Sequence, residues 1–183
     1  RFDAGAAQLA LDYVDLTVLA GEEMAAQQRL AERTHTQLTL DSGGNCVAEV
    51  DGRRIRRVLR NLITNAIEHG EGRPITVYVR GDENAVAVAV RDHGVGFTAE
   101  EGSQVFNRFW RADPSRGRHV GGTGLGLSIS LEDARLHGGR LDAWGSPGAG
   151  AQFRLTVPRK AAEELQGSPW PSVPPDAKVV LHA

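Results

Sequence analysis

Apolar residues recur with a helical period over residues 52–69. Ile55, Val58, Leu59, Leu62, Ile63, Ala66 and Ile67 fall at i, i+3, i+4, i+7, i+8, i+11 and i+12, which is one stripe along a helix. Asp51 stands before it as an N-cap and Gly70 ends it. Elsewhere the period shortens to two. Leu38 and Leu40 alternate with polar residues, Asp41 to Asn45 read as a turn, and Cys46 to Val50 as a second short strand. Pro74–Arg80 and Asn84–Arg91 read as paired strands around the turn Gly81-Asp82-Glu83, with clean alternation of Val86, Val88 and Val90. Leu141–Trp144 and Gln152–Val157 predict a last hairpin across Gly145-Ser146-Pro147-Gly148.

The remaining segments are less regular. Leu9, Leu11, Tyr13 and Leu16 suggest a short strand, followed by a helix from Thr17 to about Arg33 whose weak point is Gly21. From Asp92 to Gly122 periodicity is weak and glycines are frequent, the mark of a long functional loop. Thr123 to His137 is helical, closed by Gly138-Gly139. After Pro158 a short helical patch, Ala161 to Gln166, leads into a segment with prolines at 169, 171, 174 and 175 that is expected to be disordered. This order of elements predicts a sheet with helices packed on one face, an α/β sandwich.

At 183 residues the chain is about one domain. A net charge of -2 leaves no basic excess to attract nucleic acid or an acidic membrane face. No apolar run approaches the roughly 20 residues of a membrane helix, and no apolar segment opens the chain as a signal peptide would. One cysteine, Cys46, forbids an internal disulfide and a thiolate metal cage, and fits a reducing compartment. Of 21 basic residues only Lys160 and Lys178 are lysines. Any phosphate held in the body of the domain is therefore held without a P-loop lysine, a kinase strand lysine or a Schiff-base lysine.

Four motifs carry candidate chemistry. Asn61, Asn65 and Glu68 cluster on one flank of the periodic helix, and neutral amide oxygens in register suit a hard cation such as Mg²⁺. The bland alternative is two solvated asparagines. Asp92-His93-Gly94-Val95-Gly96 leaves a strand, where a buried carboxylate can accept from an exocyclic amine such as adenine N6 and glycines let the backbone pass close to a base. Gly121-Gly122-Thr123-Gly124-Leu125-Gly126-Leu127 opens a helix and offers backbone N–H groups to an anion; as a dinucleotide fingerprint it fails. Val105-Phe106-Asn107-Arg108-Phe109-Trp110-Arg111 joins aromatics to cations that could close over phosphates.

In this order the four motifs resemble the N, G1, F and G2 boxes of the catalytic ATP-binding domain of sensor histidine kinases, over about residues 9–158. Arg108–Arg116 and Glu132–Leu141 look, more narrowly, like an actinobacterial type of these kinases. The resemblance implies the Bergerat fold, a mixed β-sheet with three main helices on one face, and ATP with Mg²⁺ as cofactors. It implies that Asn65 holds Mg²⁺ with support from Asn61, that Asp92 reads the adenine amine, and that Gly94 and Gly96 give the base room. His69 falls where tyrosine or histidine is common in the family. Phe106 and Phe109 would anchor a lid, Arg111 would reach the γ-phosphate with Arg108 as helper, and Gly122, Thr123, Gly124, Leu125, Gly126 and Leu127 would cradle the triphosphate. Glu68 departs from the pattern, standing where lysine or arginine is frequent, and a carboxylate repels phosphate unless metal intervenes.

The six histidines are His35, His69, His93, His119, His137 and His182, and none is followed by glutamate. The family's phosphoacceptor context is thus absent. Residues 1–8 read as the end of a preceding phosphoacceptor and dimerisation hairpin, residues 9–158 as the catalytic domain and residues 159–183 as the tail. An excised, monomeric fragment is expected, from a membrane-anchored homodimer that serves a response regulator from the cytoplasmic side. Alternatives are a water-activating ATPase of the same superfamily, which would need glutamate at position 61, an anti-sigma serine kinase, and a non-catalytic ATP-sensing module. Arg53, Arg54, Arg56 and Arg57 read as a solvated helix face, Cys46 and Trp144 as core, and Trp170 as either a docking handle or part of a passive tail.

Overall fold

The structure is a computed structural model that describes residues 8–108, 110 and 126–177. The strand β1 (Asp12–Asp15) leads directly into α1 (Leu16–Ala26) and α2 (Gln28–Arg33). Then follow β2 (Leu38–Gly43), β3 (Val47–Val50), α3 (Gly52–His69), β4 (Ile75–Gly81) and β5 (Ala85–Asp92). The one-turn helix α4 (Ala99–Gly102), α5 (Gly126–Leu136), β6 (Arg140–Ser146) and β7 (Gly150–Pro158) complete the order. The predicted helix over 17–33 is two helices. The break falls at Gln27, whose N–H is shared between the carbonyls of Glu23 and Met24, while Gly21 sits undisturbed inside α1.

Five strands form a mixed sheet in the order β2-β4-β5-β7-β6, with β2 parallel to β4 and the other pairs antiparallel. β1 and β3 pair separately. Register puts Val86, Val88 and Val90 of β5 opposite Val157, Leu155 and Phe153 of β7, all on the face that meets the helices. The apolar stripe of α3 is buried there in full, as its period requires. Among the described residues no helix is long and apolar enough to cross a membrane.

Side-chain pairs lock the helices together. Asp133 of α5, 1% exposed, receives Arg54 and Arg57 of α3 at 2.9 Å. Arg56 reaches Glu22 of α1 at 2.7 Å. Three of the four arginines expected on a solvated face are therefore bridges between helices. His137, buried at the end of α5, accepts from the Asp51 N–H through Nε2 at 3.0 Å and lies 2.6 Å from the Asp133 carbonyl through Nδ1. Asp51 caps α3 through the N–H groups of Arg53 and Arg54.

The expectation of an unstructured tail and of a helix over 161–166 is not met. Residues 161–166 form turns and irregular chain. Residues 168–176 cross the sheet face opposite the helices, which carries Gln152, Arg154 and Thr156, each at most 9% exposed. Gln152 donates to the carbonyls of Pro171 and Ser172 at 3.0 Å and accepts from Trp170 Nε1 at 3.1 Å. Arg154 donates to the Trp170 carbonyl at 2.6 Å, and Ser168 meets Thr156 at 2.9 Å. The Trp170 ring stacks on Tyr78 with centroids 4.2 Å apart, and the Arg80 guanidinium lies 4.9 Å from the indole. Prolines explain how so polar a segment can order. They lack N–H donors and stiffen the chain before it docks, so the carbonyls of Trp170, Pro171 and Ser172 accept from the sheet at a reduced entropic cost.

Candidate functional site

A cleft opens between the end of α3, the β5 exit and the start of α5. Asn65 and His69 of α3, Asp92, Val95, Gly96, Phe97, Val105, Trp110, Leu127, Ala151 and Phe153 line it. The sequence singled out Asn65, His69, Asp92, Gly96 and Leu127. Phe97, Ala151 and Phe153 were not legible, because β7 and the loop after β5 are distant in sequence and meet only through strand pairing. The one trace of them was apolar alternation in the last hairpin, which fits any core strand.

Asp92 sits at the cleft floor, 1% exposed. Its Oδ1 accepts the Gly94 N–H at 2.9 Å. Burial raises its pKa to about 6, against the pull of the backbone N–H groups of Gly94 and Ala151 and of Arg91. A carboxylate held this dry seeks a donor, and a planar base with an exocyclic amine supplies one. Phe153 forms a wall, with Phe106 edge-on at 6.1 Å and Phe97 tilted at 6.2 Å. Apart from Asp92, Asn65 and His69 the lining is apolar or glycine, which suits a flat aromatic ligand. His93 beside it is held below its ordinary pKa, first by burial and then by Arg91, with Asp176 opposing.

The glycines after Asp92 also let backbone segments approach one another. A Cβ at Gly94 would lie 1.8 Å from the His69 carbonyl, and one at Gly96, where φ is +67°, would lie 2.0 Å from the Ser146 carbonyl. The missing side chains admit protein backbone, so the loop can be clamped to the end of α3 and to the β6–β7 turn. The Val95 N–H donates to His69 and the Gly148 N–H to the Val95 carbonyl, which completes the clamp. Room for a base is then a consequence of a rigid loop.

Asn61 points at α5. Its Nδ2 donates to the Gly126 carbonyl at 3.0 Å and to Ser130 Oγ at 3.1 Å. It fastens the helix that the glycine-rich motif opens. Asn65, one turn on and half-buried, lines the cleft. No group of three or more His, Cys, Asp or Glu side chains among the described residues could hold a metal ion. The Asn65 amide is an oxygen donor of the kind a hard cation such as Mg²⁺ accepts beside phosphate oxygens. Glu68 is 13% exposed at its side chain and lies 3.9 Å from His69. Arg108 is exposed and lies 3.9 Å from Glu132 of α5. Phe109, Arg111, Gly122, Thr123, Gly124 and Leu125 lie outside the described residues, and so do residues 1–7.

Residues 50–161 match the family model described as histidine kinase-, DNA gyrase B-, and HSP90-like ATPase. The chain is 51% identical over 175 residues to the sensor histidine kinase MtrB of Mycobacterium leprae, covering 95% of this chain and 31% of that protein. It is 40% identical to the signal transduction histidine-protein kinase AfsQ2 of Streptomyces coelicolor, over 87% of this chain and 28% of that one. The catalytic domain of the histidine kinase ThkA superposes with a TM-score of 0.74 at 24% identity, covering 84% of this chain and 98% of that domain. Full-length ShkA in complex with AMPPNP superposes with a TM-score of 0.73 at 23% identity, over 83% of this chain and 32% of that one. Identities this low show the fold alone. The chain spans about a third of the length of the curated relatives it matches.

Proposed function

The chain belongs to the histidine kinase-, DNA gyrase B-, and HSP90-like ATPase family, as a catalytic ATP-binding domain of the sensor histidine kinase type, and on that premise we propose that it holds ATP with the adenine against Asp92 and passes the γ-phosphoryl group to a histidine outside this chain. The observation that carries the reading is the cleft floor: a dry carboxylate beside aromatic walls, with the Asn65 amide also lining the cleft. Asp92 accepts the exocyclic amine, and Phe153 and Val95 flank the ring. Asn61 holds α5 in place, and the glycine-rich motif at 122–127 is the proposed source of backbone N–H groups for the triphosphate. Bound through Asn65, Mg²⁺ would neutralise charge on the phosphates. The resemblance offers Arg111, with Arg108 as helper, as the cation for the transferring group.

In the transfer, the bond from the γ-phosphorus to the bridging oxygen breaks, a phosphorus–nitrogen bond to imidazole forms, and ADP leaves. The acceptor histidine belongs to a helical dimerisation domain, and a response regulator takes the phosphoryl group onward. The whole kinase is anchored in the plasma membrane with this domain on the cytoplasmic side. Steady hydrolysis is disfavoured, because an amide at position 61 that donates to Gly126 cannot take a proton from water.

Calorimetric titration with a non-hydrolysable ATP analogue, with and without Mg²⁺, tests the first half of the reading, and absence of binding in both conditions would falsify it. Incubation with an isolated phosphoacceptor domain and ATP tests the second half. Acid-labile phosphohistidine is expected. Asn65→Ala is expected to reduce its formation by about a hundredfold, the scale of losing an electrostatic partner of the reacting phosphates. Transfer undiminished by that change removes Asn65 from the metal site.

A further inference from the structure

Arg91 lies directly behind the cleft, on the sheet face away from the helices, and is 3% exposed. Its Nη1 donates to the carbonyl of Asp92 at 2.6 Å and to that of Ala149 at 2.8 Å. Those two carbonyls belong to neighbouring segments, the β5 exit and the β6–β7 turn, that meet at the cleft floor where Asp92 pairs with Ala151. Asp92 carries the floor carboxylate. Ala149 stands in the β6–β7 turn two residues before Ala151, which lines the cleft and whose N–H supports that carboxylate. One guanidinium thus staples the β5 exit to the β6–β7 turn, and it packs over the Trp144 ring at 5.1 Å.

A buried guanidinium needs a carboxylate. Asp176 supplies it from the C-terminal strap. Arg91 Nε and Nη2 each donate to one carboxylate oxygen of Asp176 at 3.1 Å, a bidentate fork. That fork holds the Asp176 carboxyl below its ordinary pKa. Asp176 also lies 3.8 Å from His93 Nε2. The strap is held in place upstream by the Trp170 stack on Tyr78 and by Gln152 and Arg154.

We propose that Asp176 is a positioning residue for nucleotide recognition: paired with Arg91, it holds Asp92 and the 149–151 turn at the separation at which an adenine can be read. The proposal rests on the ATP-binding reading above. It gives the strap a role at a site that none of its residues lines, since Asp176 acts only through Arg91.

The test is made on the 183-residue chain. Dissociation constants for a non-hydrolysable adenine nucleotide and its guanine counterpart are measured for wild type, Asp176→Asn, Asp176→Ala and Asp176→Glu, together with thermal midpoints. Asp176→Ala is expected to weaken adenine-nucleotide binding about tenfold, the worth of one charge-assisted hydrogen-bond pair. Binding of the guanine nucleotide should change less, so the preference for adenine falls. Asp176→Asn should show the same trend with a smaller loss, and Asp176→Glu should recover most of the affinity. In the nucleotide-free state the amide resonances of Gly94 and Ala151 should move in Asp176→Asn, which reads the same coupling even if the alanine variant folds poorly. Unchanged affinity and preference in folded Asp176→Asn and Asp176→Ala, with only the thermal midpoint lowered, overturn the proposal and leave the strap a structural cover. Wild type that binds neither nucleotide overturns the ATP-binding reading, and this inference with it.

Discussion

Asp92 couples recognition to a stability cost. In the folded chain its carboxyl binds a proton more tightly than in the unfolded chain, because burial lifts its pKa from 3.8 to about 6. Its contribution to stability is therefore most favourable below pH 3.8, declines as pH rises and levels off above about 6, at a cost of about 3 kcal/mol. Asp92→Asn removes the ionisation. The stability of the variant relative to wild type should grow between pH 4 and 8, as read from urea midpoints. Adenine's amine donates to the ionised form, so nucleotide affinity should fall as pH drops below about 6 in wild type. In Asp92→Asn that pH step should vanish, with affinity at pH 8 about a hundredfold lower, the scale of a site's buried hydrogen bond lost. An identical pH profile in both proteins would mean that the carboxylate does not read the base.

The packing of α3 against α5 decides where α5 lies relative to the cleft. Apolar periodicity places the stripe of α3, but contact between the two helices also depends on Asp133, which accepts from Arg54 and Arg57 across a separation of more than seventy residues. Asp133→Ala leaves both guanidinium groups without that carboxylate at a buried position. Because Arg54 and Arg57 are partly exposed, the expected loss is about 2–3 kcal/mol, toward the lower end for a broken buried pair. Urea denaturation measures it. A loss below about 0.5 kcal/mol would show that these ion pairs have no bearing on the helix contact. Nothing in the local pattern around residue 133 distinguishes it from a solvated helical aspartate; its burial follows from the crossing of the two helices. Asn61 is different. Two asparagines one turn apart beside a buried stripe are poor helix formers, which made them candidates beside the bland reading of two solvated amides, and the order of the four motifs gave them a role.

For the molecule as a whole, the tail is the feature that the pattern of residues misplaced. Prolines, serines and few apolar residues are the composition of a linker, yet 168–176 lie on a sheet face whose polar side chains need partners. Truncation after Gly167 removes those partners. It should lower the thermal midpoint by several degrees, as expected for about 2 kcal/mol in a domain of this size, and should expose Tyr78 to solvent, measurable by its fluorescence and by hydrogen exchange in β4 and β7. An unchanged midpoint and unchanged exchange would show the strap to be unattached in solution.

The sequence by itself determined the stripe of α3 and its caps, the hairpins, a sheet backed by helices, the lack of lysine in the body of the domain, and Asn61, Asn65 and Asp92 as candidate residues. These are local quantities: side-chain period, capping, turn residues and the chemistry of single side chains are set within a few residues. Tertiary structure alone decided that Gly94 and Gly96 admit backbone, that Phe153 and Ala151 complete the cleft, that Asp133 bridges two helices, and that Asp176 closes on Arg91 over eighty-five residues of chain. Each of these depends on which distant segments the strand order brings together. A residue's neighbours across a sheet or between helices are fixed by register and crossing, and neither is written in the spacing of its own segment.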